Sequence, residues 1–216
     1  MVDVVNPYLL DESLSREENS KNLFRPIGEL TPDSRYSLAE KAFYFMKPIF
    51  DVKNNELIYA FKDDTTLFRR SLPQGDIIEQ YTIPFDEFIL FQGLSLGKAG
   101  FEQQNQPRDR SGAIEKVYHV DDFDIIIYHS GMKLTEMLEF DRSSPDFQNQ
   151  LAKANPKKHL ILRDGKKVNI DLKLPKKVSY FHMADNNGYL WGSKDLSDIE
   201  EEPEFITFYK LKVVAQ

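Results

Sequence analysis

Hydrophobic positions change period near residue 49. Upstream, Leu38, Ala42, Phe45 and Met46 recur at helical spacing behind Thr31-Pro32-Asp33, and Pro48 supplies a stop. That pattern predicts a helix over 31–46. Downstream the spacing is that of strands. Residues 49–52 and 56–61 flank Asn54-Asn55, 65–72 and 77–83 flank Pro73-Gln74-Gly75-Asp76, and 85–91 follows Pro84. Short runs broken by such turn residues predict an antiparallel meander. A polar stretch from Gln92 to Gly112 then interrupts the pattern, with Gly93, Gly97, Gly100 and the run Pro107-Arg108-Asp109-Arg110. It reads as a long mobile loop, a type that in ordinary domains is functional or disordered.

Strand patterning resumes at 114–120 and 123–129. The second run is almost continuously apolar, as a strand covered on both faces requires. Two helices are expected over 133–140 and 146–154. The second follows Ser143-Ser144-Pro145-Asp146, a capping hydroxyl ahead of a first-turn proline. A hairpin over 159–162 and 167–174 turns at Arg163-Asp164-Gly165-Lys166. Further strands over 178–183 and 188–191 flank Asp185-Asn186-Asn187-Gly188, and 205–214 closes the chain. No internal repeat is present.

The expected class is therefore α+β, β-rich, with mainly antiparallel strands and two or three helices. Residues 1–30 read as an N-terminal arm, polar over 11–22, that could dock on a neighbouring subunit. Residues 31–216 read as a single main domain with a long loop at 92–113. Sixteen Phe and ten Tyr support the bias toward sheet.

Composition narrows the classes. At 216 residues the chain can bury a core unaided, and it contains no cysteine. A disulfide scaffold, a Cys-ligated zinc and a thiol nucleophile are excluded. The absence fits a reducing cytoplasm or a virion. Met1 to Pro7 offers no basic segment leading an apolar run, so secretion by a signal peptide is not expected. No apolar run is long enough to span a bilayer as a helix, so no membrane partner is expected.

Charge is the strongest asymmetry. The net charge is −7, yet residues 151–180 hold nine basic residues against two acidic ones, a window of +7 that leaves −14 elsewhere. Asp195, Asp198, Glu200, Glu201, Glu202 and Glu204 crowd into a short acidic run just beyond. Lys157, Lys158, Lys166, Lys167, Lys176 and Lys177 are the candidate anion- or partner-binding residues. With Tyr180, Phe181, Tyr189 and Trp191 behind them they would suit phosphates and stacked bases. Solvated lysines, or a cover supplied by the acidic run, explain the same pattern.

Three patterns bear on catalysis or metal binding. Gly93-Leu94-Ser95-Leu96-Gly97-Lys98-Ala99 has three residues between its glycines and Ala99 where a phosphate-binding loop carries a hydroxyl, so it fails that motif. Ile170-Asp171-Leu172-Lys173 fits the Asp-x-Lys part of a magnesium-dependent nuclease core, with Asp146 as the other acid. Simple strand alternation accounts for Asp171 and Lys173 equally well. His119, Asp121, Asp122, Asp124 and His129 lie close in sequence and suit a metal chemically. On a straight strand, however, His119 and Asp121 share one face and Asp122 and Asp124 the other, with Asp121-Asp122 better placed in a turn. No metal and no cofactor are expected.

Gly112-Ala113-Ile114-Glu115-Lys116 leading into Asp122-Phe123-Asp124-Ile125-Ile126-Ile127 resembles stretches in tail and baseplate proteins of phages and related injection machines. That resemblance implies a structural component of a multi-subunit particle. The expected function is a nonenzymatic interaction or assembly protein, with protein partners or copies of itself. Nucleic-acid binding by the basic 153–177 hairpin and a magnesium-dependent nuclease stand as alternatives.

Overall fold

Three antiparallel sheets pack in layers, and the middle one is apolar on both faces. The computed structural model describes residues 2–5, 24–27, 30, 34–37, 40–43, 46–168, 178–194 and 207–213. β1 (Val2–Val5) pairs with β2 (Phe24–Ile27), and β3 (Lys41–Ala42) with β8 (Leu94–Ser95). The first large sheet is a meander of β4 (Pro48–Lys53), β5 (Glu56–Phe61), β6 (Thr66–Ser71) and β7 (Ile77–Thr82). The second is β9 (Ala113–Val120), β10 (Phe123–His129), β11 (Lys158–Arg163) and β12 (Lys166–Lys167). The third is β13 (Val178–Ala184), β14 (Tyr189–Lys194) and β15 (Phe208–Lys212). Among the described residues helices are few and short: α1 (Lys98–Gln104), α2 (Leu134–Met137), α3 (Phe147–Ala154) and a 3₁₀ turn at Arg35–Ser37.

Local chemistry explains the hairpins. Asn54 and Asn55 hold φ of 52° and 62°, and Asp164 and Gly165 hold 50° and 69°. Two-residue loops with both central residues at positive φ match the twist of the strands they join, and Asn, Asp and Gly tolerate that region. The pairs that close these loops are Lys53 with Glu56 and Arg163 with Lys166.

Side-chain alternation then builds the layers. Ile58, Ala60 and Leu67 face Ile126, Tyr128, Leu160 and Leu162 between the first two sheets. Phe123, Ile125, Ile127 and Ile161 point the other way, onto Val178, Phe181 and Leu190 of the third sheet. β10 is thus covered on both faces, as its apolar run predicts. A bulge opposite Ile127 and Tyr128 shifts the phase of β9, so Ile114 and Val117 share a face although three residues apart. The outer face of β4–β7 carries Leu57, Tyr59, Phe61 and Phe68, capped by Tyr36 and Phe43.

Several expectations are corrected. Among the described residues of 31–46 there is no α-helix, but the 3₁₀ turn and β3. Tyr36 and Phe43 pack edge-on at 5.0 Å, and Tyr36 packs on Phe61 at 5.1 Å, so tertiary aromatic contacts set this backbone. Residues 85–91 are not a strand, because their backbone bonds singly to separated partners, Ile89 to Ser130 and Gly112 to Ile89. The stretch 92–113 is not one loop, since it contains β8 and α1. The 133–140 helix shrinks to α2. Residues 169–177 and the acidic run at 195–204 lie outside the described residues. No helix among the described residues is long and apolar enough to cross a membrane.

Candidate functional site

One polar assembly and one open sheet face emerge from this packing. The assembly closes one end of the space between the first two large sheets. Arg69 follows Leu67 on the inner face of β6, Tyr81 lines the same face of β7, and Asp124 precedes Ile126 on β10. Asp124 is 3% exposed. Its carboxylate accepts Arg69 Nη2 at 3.2 Å, Tyr81 Oη at 2.5 Å and His119 Nδ1 at 2.8 Å. Burial works to raise its pKa, but the hydrogen bonds from His119 and Tyr81 and the charge of Arg69 outweigh it, and the pKa lies below the usual carboxylate value. Burial and the adjacent Asp124 charge push the Tyr81 phenol up, so it remains a donor.

On a straight strand His119 and Asp124 would lie on opposite faces. They are directly paired instead, because Asp121-Asp122 turns the chain with Asp121 at φ 52° and sets Val120 opposite Phe123 and His119 opposite Asp124. A cleft of about 350 Å³ opens at this mouth, lined by Arg69, Glu79, His119, Asp121, Asp122, Arg163 and Asp164. His129 is engaged elsewhere, with Nδ1 at 2.8 Å from the Asn155 carbonyl and Nε2 at 2.9 Å from Glu115. Among the described residues no three His, Asp or Glu side chains gather as a metal would need.

This geometry makes the mouth a pH-dependent clasp. Asp124 titrates below its unfolded value of about 3.9, so its contribution is complete above that value and is lost as pH falls through the folded pKa. The stability difference between wild type and Asp124→Asn should shrink on moving from about pH 6 to pH 3 in urea unfolding. A pH-independent difference would show that the carboxylate charge is not what the clasp uses.

Of the three proposed nuclease residues, Asp146 alone lies within the described residues. Asp146 is exposed at the start of α3, where its Oδ1 accepts Asn149 Nδ2 at 2.8 Å. Asp171 and Lys173 lie outside the described residues, as do Lys176 and Lys177. Three lysines of the basic segment have partners within the chain. Lys157 meets Glu115 at 2.8 Å, Lys158 meets Glu87 at 3.3 Å, and Lys167 meets Asp86 at 2.5 Å. Lys166 is exposed on β12.

The open face belongs to β13–β15. Phe181, Leu190, Tyr209 and Leu211 face inward, so alternation sends Tyr189, Trp191, Phe208, Lys210 and Lys212 outward, and the bulge between Phe181 and Met183 turns Met183 outward with them. Met183 and Phe208 are each 52% exposed. Lys210 Nζ lies 3.9 Å from the Tyr189 ring centroid and 5.4 Å from that of Trp191, and Lys212 Nζ lies 5.8 Å from Tyr189. Asp185 orients the set, accepting Trp191 Nε1 at 2.9 Å and standing 3.9 Å from Lys210. Its own pKa is lowered, first by the Trp191 hydrogen bond. Notice of the aromatic residues was available in the sequence, but Lys210 and Lys212 were missed because they sit in the final strand, far from the basic window. Comparison with known protein families, with characterised proteins and with solved structures finds no match.

Proposed function

We propose that this protein is a nonenzymatic interaction and assembly module whose outer β13–β15 face seats an acidic surface of another copy of the chain. The carrying observation is one sheet face on which exposed Met183, Phe208, Lys210 and Lys212 surround the half-buried rings of Tyr189 and Trp191. Aromatic residues supply apolar contact area at low entropic cost, and interface cores are enriched in them. Lysines give the face a sign opposite to that of the chain as a whole, which has net charge −7. Complementary potentials of this kind steer and register association. A face meeting a different surface on the next copy is a head-to-tail contact, which builds rings or filaments. That fits a subunit of a multi-subunit particle, the setting implied by the short phage-tail resemblance.

A second reading rests on the lysines above Tyr189 and Trp191. Rings that stack bases beside cations that meet phosphates are the elements of a single-strand platform. Trp191 is the single tryptophan of the chain and lies within the face, so its fluorescence reports both readings directly. Raising the protein concentration at low salt should blue-shift Trp191 emission as a second copy desolvates the ring. An emission unchanged across concentrations contradicts self-association through this face. Quenching by oligothymidylate without any concentration dependence would move the assignment to nucleic acid.

A further inference from the structure

A groove of about 650 Å³ lies away from the basic hairpin that the sequence singles out. It is lined by Lys47, Lys62, Asp63, Phe91, Arg108, Asp109 and Arg110, with 111–113 completing its wall. Four cations face two acids. Both acids already serve the fold: Asp63 Oδ1 accepts Tyr36 Oη at 2.7 Å, and Asp109 Oδ1 accepts the Leu134 N–H at 2.7 Å. Among the described residues none of the four cations forms an ion pair. This contrasts with Lys157, Lys158 and Lys167, each of which has a carboxylate partner. Four cations that converge on one concavity without carboxylate partners concentrate positive potential there.

The groove walls are fixed by backbone bonds. Lys62 N donates to Lys47 O at 2.9 Å, and Ile114 N to Lys62 O at 2.7 Å. Arg110 and Met132 exchange both backbone bonds, at 2.8 and 2.9 Å. Gly131 makes this approach possible. It holds φ +91°, and a Cβ there would sit 2.5 Å from Arg110 O and 2.7 Å from Gly112 N. Arg35 pins the opposite wall by donating to Asp63 O at 2.9 Å and to Phe91 O. Against that wall the Arg108 guanidinium lies 5.4 Å from the Phe91 ring centroid. Guanidinium planes and phenyl faces both stack on aromatic bases.

We propose that this groove binds a phosphate ester bearing an aromatic base, with Lys47, Lys62 and Arg110 holding the phosphates and the Arg108–Phe91 pair stacking the base. The volume exceeds what a lone phosphate fills and suits a nucleotide, whether free or part of a strand. The site shares no residue with the β13–β15 face and stands whether or not that face mediates assembly.

Calorimetric titration of the full chain at low salt tests it, with ADP, inorganic pyrophosphate and oligothymidylate as probes. ADP or the oligonucleotide should bind, and Lys62→Glu or Arg110→Glu should weaken that binding at least tenfold. Lys62→Ala and Arg110→Gln repeat the test with gentler changes, and thermal unfolding verifies that each variant is folded. Lys210→Glu on the open face should leave binding unchanged. Tighter binding of ADP assigns the free nucleotide as the source, and tighter binding of the oligonucleotide assigns the strand. Pyrophosphate binding as tightly as ADP would overturn the stacking role of Arg108 and Phe91. No binding of any probe at low salt, or equal loss in Lys210→Glu, would overturn the site.

Discussion

Replacing Asp124 with alanine should destabilise the protein by about 3–5 kcal/mol, the cost of removing one member of a buried ion pair and stranding the other. Asp124 is nearly inaccessible, and three side chains from three strands converge on it. Its loss leaves Arg69, Tyr81 and His119 without the acceptor they share. Arg69 is the most affected, because its remaining carboxylate neighbours, Glu56 and Glu79, stand at 3.8 and 3.9 Å. For a chain of this length each kcal/mol moves Tm by roughly 2–4 °C. A fall of about 10 °C in calorimetry is the expected result. A change under about 2 °C would mean that solvent already screens the cluster.

Phe181→Ala should have a comparable effect, about 3–5 kcal/mol, through a different mechanism. Phe181 is 2% exposed and fills the second core, where β13–β15 rests on the middle sheet. Truncating a buried phenyl loses its transfer free energy and leaves a cavity that rigid sheets cannot collapse. The Tyr118 hydroxyl that bonds the Phe181 carbonyl at 2.8 Å keeps its partner, so the cost isolates packing. Chemical denaturation should show a lower midpoint with an unchanged m-value. A lower m-value or a second transition would show that the third sheet unfolds separately from the other two.

These residues also show what a sequence can and cannot reveal. Strand β10 is legible because burial on both faces demands an unbroken apolar run, and Asn54-Asn55 and Asp164-Gly165 are legible because only a few residue types tolerate their backbone. The segment around Tyr36 and Phe43 misleads, since its helical spacing serves an aromatic cap on the outer face of β4–β7. The basic window misleads for a related reason. Lys157, Lys158 and Lys167 look unopposed along the chain, while their carboxylates, Glu115, Glu87 and Asp86 respectively, arrive from distant segments once the chain folds. The groove is hidden in the reverse sense. Lys47, Lys62 and Arg110 lie far apart along the sequence, and only the fold gathers them. The His119–Asp124 pair disappears when the segment is read as one straight strand, and returns once Asp121 turns the chain.

The assembly reading makes one direct demand on solution behaviour. If the β13–β15 face seats an acidic surface of a second copy, the purified protein must associate with itself, and salt must oppose that association by screening the lysines. Sedimentation velocity across a wide concentration range at low and high salt measures this, with the double variant Lys210→Glu, Lys212→Glu run alongside. Wild-type species larger than a monomer are expected at low salt, with a shift toward monomer at high salt and a monomeric variant of unchanged thermal stability. A wild-type protein that remains strictly monomeric at every concentration and salt would contradict the assembly reading.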